Sequence, residues 1–89
     1  MASIDCDVLA HFESEARSGR AEALYNLGLA YSTGQGVRVD YIAAHKWFNL
    51  AAMRGVGEAR TWRAQISREM SANQIAEAQR QARAWLVAV

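Results

Sequence analysis

The stretch that most constrains this chain runs from Ala21 to Gly55. It holds two apolar stripes at helical spacing, separated by a break rich in glycine. In the first stripe, Leu24, Leu27, Gly28 and Tyr31 fall at i, i+3, i+4 and i+7, one face of a helix. In the second, Ala44, Trp47, Phe48, Ala51 and Ala52 repeat that spacing. Gly34 and Gly36 flank Gln35 in the break. Glycine takes positive φ without a Cβ clash, so this segment can end one helix and turn the chain. Asp40 stands just before the second stripe, where a carboxylate caps a helix by accepting from its first-turn amides. Together these features predict an antiparallel helical hairpin. Gly28 costs about 1 kcal/mol relative to alanine inside a helix. Keeping it there predicts a close approach of two backbones, with Trp47 and Phe48 as candidates for the space it leaves.

The flanks repeat parts of this pattern. Residues 3–18 predict a first helix, with Ile4, Val8, Phe12 and Ala16 at i+4 steps and Leu9 beside them. Ser3 can cap it, Asp5 and Asp7 suit the positive end of the helix dipole, and Arg17 and Ser18-Gly19 close it. Shifted by 36 positions, Phe12 answers Phe48, Ala16 answers Ala52, Gly19 answers Gly55, and His11 stands where Trp47 stands. A fixed period in this range marks stacked helical hairpins. Residues 57–70 predict a further helix whose apolar face is Ala59, Trp62, Ile66 and Met70. The same shift pairs Glu22-Ala23 with Glu58-Ala59 but sets Arg63 opposite Leu27; a shift of 35 matches the apolar face better, and both registers stand. No Gly-x-Gly-Val loop follows. Instead Ser71 and Gln74 form a capping box, which starts a last helix from Ala72 to Ala88. Its stripe is Ile75, Ala78, Ala82, Trp85 or Leu86, and Val89.

Eighty-nine residues make one domain, and 52% hydrophobic content excludes disorder. A chain this short buries only a little over half of its unfolded surface, so its stability is modest. The absence of proline and the scarcity of β-branched residues fit an all-α fold. A net charge of +1 points to neither nucleic acid nor membrane, and no apolar run is long enough to span a bilayer. The charge is uneven, however: residues 1–40 carry six acids and three bases, residues 41–89 three acids and seven bases. Solvated faces, an acidic partner for the second half, or head-to-tail contact between copies would each account for this. Cys6 is the only cysteine and cannot form an internal disulfide; no signal peptide is visible, so a reducing cytoplasm is the expected location.

Little in the chain suggests chemistry. Cys6, His11 and His45 are the only soft or imidazole ligands, and no metal-ligand motif joins them. His45 is expected on the helix surface beside Lys46, and His11 in a smaller space than Trp47 fills. Gly34-Gln35-Gly36-Val37 lacks the third glycine and the preceding strand of a dinucleotide loop. Glu13 and Glu15 point to different faces of one helix, as do Asp5 and Asp7, so no carboxylate pair converges. No catalytic residue, metal or cofactor is expected.

Leu27-Gly28, Tyr31, Gly34, Gly36-Val37, Asp40, Ala43 or Ala44, Trp47, Ala51-Ala52 and Gly55 together resemble the Sel1-like repeat, an α/α repeat related to the tetratricopeptide repeat. The resemblance covers one complete repeat. It implies a right-handed α-solenoid that binds other proteins and holds complexes together, without catalysis. Some secreted relatives staple neighbouring helices with cysteine pairs; this chain departs from that pattern. Met70-Ser71, Gln74 to Gln79 and Trp85 resemble the closing segment of many bacterial Sel1-like proteins. The expected fold is therefore an all-α, α/α superhelix of five helices. Residues 3–19 form a half repeat, 20–55 a complete repeat and 56–89 a shortened C-terminal repeat.

The expected role is that of an adaptor or scaffold holding a protein partner. In related α-solenoids the first helix of each pair lines the concave side. On helix 20–33, the side away from Leu24, Leu27 and Tyr31 carries Glu22, Asn26, Leu29 and Thr33, with Leu29 on an exposed row. On helix 57–70, Arg60, Thr61 and Arg68 continue that surface with positive charge. Trp85 to Val89 end the chain apolar on every side. A helix folded back over the core, a homo-oligomer or partner contact, and a frayed tail are the three alternatives there. The rival function is nucleic-acid binding through the arginines of residues 54–83, among them Arg60, Arg63 and Arg68; the near-neutral charge argues against it.

Overall fold

A computed structural model describes residues 6–88, with side chains from residue 10 onward. The described residues form five helices and no strand: α1 Cys6–Arg17, α2 Ala21–Thr33, α3 Tyr41–Met53, α4 Gly57–Ser67 and α5 Ala72–Ala88. Ser3, Ile4, Asp5 and Val89 lie outside the described residues, as do the side chains of Asp7, Val8 and Leu9.

The hairpin of α2 and α3 forms as its sequence requires. Gly34 adopts φ 76°, in the left-handed region, and its N–H donates to the Ala30 carbonyl at 2.9 Å, closing α2. The chain then returns, and the Asp40 N–H donates to the Tyr31 carbonyl at 3.0 Å, fixing where α3 begins. The Asp40 carboxylate accepts from the Ala43 N–H at 3.1 Å, the N-cap expected from the sequence.

The two helices meet at Gly28. A Cβ built there would lie 2.5 Å from Cδ1 of Phe48, so the glycine makes room for a phenyl ring. Phe48 is fully buried, between Tyr25 at 5.9 Å and Trp62 at 6.2 Å between centroids, the latter stacked at 13°. Burying such a ring stabilises by roughly 1.5–3 kcal/mol. Trp47, the other candidate for this space, is also buried but turns to α5, its ring edge-on to Trp85 at 4.8 Å.

Helix α3 is the hub of the fold. It packs against α2, α4 and α5, while α1 packs against α2. Seven of its residues are buried, against five in α2 and two each in α4 and α5. Phe12 and Ala16 bring α1 onto the core, and Ala59, Trp62 and Ile66 bring α4. The Cα radius of gyration is 12.0 Å, close to the ~12 Å of a compact chain of this length, so the short stack has closed into a rounded body.

Several expectations change at the edges. Helix α4 ends at Ser67, earlier than the predicted 70, in turns that place Met70 half-buried against the core. The capping box is formed: the Ser71 N–H donates to Gln74 Oε1 at 2.8 Å, and the Gln74 N–H to Ser71 Oγ at 3.1 Å. With no glycine loop to turn the chain alongside α4, α5 lies instead on α3, burying Ala78 and Ala82. Folding back covers the helix but not its end, since Leu86 and Val87 are exposed. His11 is exposed rather than packed in Trp47's place. His45 is buried rather than on the surface, because it shares the Phe48 and Ala52 face of α3; its Nδ1 has no hydrogen-bond partner.

Candidate functional site

Helices α2 and α4 begin alike. Neither has a side-chain N-cap bond, since Arg20 and Val56 occupy those positions, and each carries a glutamate in its first turn. Negative charge there favours the positive end of the helix dipole. Side by side, the two starts form a groove of about 390 Å³ lined by Glu22, Tyr25, Asn26, Val56 and Glu58.

The wall of the groove is tied to the core. The Trp62 indole N–H donates to the Tyr25 hydroxyl at 3.1 Å, joining α4 to α2. Both rings rest on Phe48, which sits over Gly28. The Tyr25 ring is therefore held from two sides. Next to the groove, a smaller hollow of about 80 Å³ shares Glu22 and Asn26 and adds His11, Phe12 and Glu15, among others. The face made by α1, α2 and α4 thus offers a half-buried amide, fixed aromatic surface and carboxylates.

Among the described residues, the ion pairs are Arg20–Glu15 at 3.0 Å and Arg80–Glu77 at 2.6 Å. Glu22 and Glu58 belong to neither, and both are exposed. The Arg54 guanidinium packs over Gly19, in the turn before α2. Glu77 is held at a pKa of about 2 by its hydrogen bonds from Arg80 and Gln81, remote in sequence from the groove.

A larger depression of about 520 Å³ lies by the α2–α3 loop. Residues 37–42 make most of it, with Tyr31, Glu69 and Gln74. The Tyr31 phenol there is raised by burial, then by Glu13 and Asp40. Four of its nine lining residues, Val37 to Asp40, belong to the α2–α3 loop, whereas the smaller groove lies where two helices anchored to the core begin.

Only part of the expected contact row comes together. Glu22 and Asn26 share the groove. Leu29 does not lie on an exposed row: it is half-buried and packs against the core. Thr33 is exposed, but its hydroxyl donates to the Leu29 carbonyl at 2.7 Å within its own helix. Arg60 borders a separate hollow with Ala52, Gly55 and Gly57. Thr61 and Arg68 are exposed and line neither the groove nor its neighbouring hollow. Arg63 is half-buried and donates to Asn49 on α3, so it does not join Arg60 and Arg68 in a free arginine stripe. Tyr25, Val56 and Glu58 were absent from the expected set. The pairing of Glu22 with Glu58 at a shift of 36 was the signal that could have found the last of them.

Among the described residues no group of three or more His, Cys, Asp or Glu could hold a metal ion, and no helix is long and apolar enough to cross a membrane. Residues 21–56 match the family model of the Sel1 repeat. No curated protein and no solved structure matches the chain. Sel1 repeats are helical, of the tetratricopeptide type, generally mediate protein–protein interaction and are typically non-catalytic. The matched segment spans the α2–α3 hairpin, its glycine loop, the Asp40 cap and the turn into α4, so the chain carries a Sel1-like repeat over residues 21–56.

Proposed function

We propose that this protein is a non-catalytic adaptor that holds an extended segment of a protein partner in the groove between α2 and α4. The observation that carries this reading is the Tyr25–Trp62 hydrogen bond, which fixes one wall of a groove open to solvent. A preformed surface loses little entropy on binding, so its polar contacts contribute to affinity instead of ordering the site. Glu22 and Asn26 are the contacts we assign from the expected row; Leu29, Thr33, Arg60 and Arg68 are left outside the groove. In the same reading α1 is a half repeat, α2 and α3 a complete one, and α4 and α5 a shortened one. One cysteine in the whole chain supports a reducing, cytoplasmic setting.

Binding peptides selected from a random display library test this. Asn26→Ala should weaken them about fivefold or more, the effect of losing one hydrogen bond. Its helical circular dichroism and melting temperature should match wild type. Equal affinity for wild type and Asn26→Ala would reject the groove as the contact surface. Leu29→Ala is unsuitable, because it would disturb the core.

A further inference from the structure

We propose that the partner segment is basic, with a lysine or arginine side chain seated against Glu22 and Glu58. This deepens the reading of the α2–α4 groove as the partner site and rests on it. Glu22 comes from α2 and Glu58 from α4, yet both line one groove, and among the described residues no cationic side chain lines it with them. Both carboxylates are exposed and stand outside the two ion pairs of the described residues. The helix dipole accounts for a glutamate in each first turn. It does not require the two to share a groove.

The remaining lining fits the same side chain. Tyr25 presents an aromatic ring held by Trp62, and a ring face attracts a cation. Val56 supplies apolar surface for the methylene stem of a lysine or arginine, which packs while its charged head stays near water. Asn26 offers an amide to the backbone of the bound segment. A nucleic acid would bring phosphates against two carboxylates. A bare metal ion would need more ligands than the described residues gather.

The test extends the display selection. Affinities of enriched peptides are measured by fluorescence polarisation for wild type, Glu22→Gln, Glu58→Gln and the double variant, each checked by thermal melting. The expected result is a shared lysine or arginine among the peptides. Binding should fall about tenfold when that residue is changed to glutamine or when both glutamates are neutralised, as for a charge-assisted hydrogen bond. Peptides sensitive to Asn26→Ala but without a common cation, or bound equally by the double variant, would overturn the charge assignment and leave the groove as partner site. No Asn26-dependent peptide at all would overturn both. A wild-type dimer in sedimentation that the double variant abolishes would give the groove to a second copy of this chain and overturn the basic-segment proposal.

Discussion

A methyl group at position 28 would sit 2.5 Å from a carbon of the fully buried Phe48 ring. Gly28→Ala should therefore destabilise the fold by about 1–3 kcal/mol, as overpacking does, despite alanine's better helix propensity. Phe48→Leu combined with Gly28→Ala should cost less than the sum of the two single changes, because the leucine relieves the clash. Urea denaturation of the four proteins reads both effects; a Gly28→Ala protein as stable as wild type would contradict the packing described. His45 supplies a second test. Burial, then the nearby Arg63, lowers its pKa below the ordinary 6.5. The native state thus resists a proton that the unfolded chain accepts, so the unfolded chain binds more protons as pH falls below 6.5. Stability is then full above that value and declines through the interval down to the lowered native pKa. His45→Leu should flatten the fall in melting temperature between pH 7 and pH 5, and it also removes the unpartnered Nδ1. A wild-type melting temperature flat across that interval would count against the buried neutral imidazole. Gly28 was legible because a helix interior gives glycine no local reason to be there. Which ring fills the space was not, since Trp47 and Phe48 lie on the same broad stripe. His45 was misread beside Lys46, although its i+3 and i+7 neighbours are Phe48 and Ala52.

At the scale of helices, the caps at Gly34, Asp40 and Ser71 were legible and the docking was not. Asp40, the Ser71–Gln74 pair and Gly34 each act through neighbours within a few residues, so their roles follow from local sequence. The seat of α5 on α3 is set by contacts some forty residues apart, such as Trp47 with Trp85, and no period reports those. The missing glycine loop was a visible sign that the last pair of helices would differ. Cations reinforce the contact: the Lys46 ammonium lies 4.1 Å from the Trp47 ring centre, and the Arg17 guanidinium 5.8 Å from that of Trp85. Trp85→Ala should cost about 2–3 kcal/mol, below the figure for a fully buried aromatic because Trp85 is half-buried. Hydrogen exchange should then quicken in α5 while α2 and α3 keep their order of protection. Unchanged α5 exchange would mean that the tryptophan pair does not hold this helix.

For the molecule as a whole, five helices give too short a stack for an extended solenoid, and α5 closes the body against its hub. The face where α2 and α4 start side by side stays open to solvent. The sequence placed Glu22 and Asn26 on that face because they lie away from the α2 stripe. It could not supply Tyr25 and Val56, since a groove between helices is a property of their packing; Glu58 was signalled only by its pairing with Glu22 at a shift of 36. The expected positive continuation through Arg60 and Arg68 is replaced by an acidic groove. The most direct measurement is amide chemical-shift mapping by NMR of the wild-type protein titrated with a selected peptide. The expected shifts cluster at Glu22, Tyr25, Asn26, Val56 and Glu58, with the Trp62 indole N–H moving as its neighbour is covered. Shifts confined to the α2–α3 loop or to the end of α5, with these amides unmoved, would contradict binding in the α2–α4 groove.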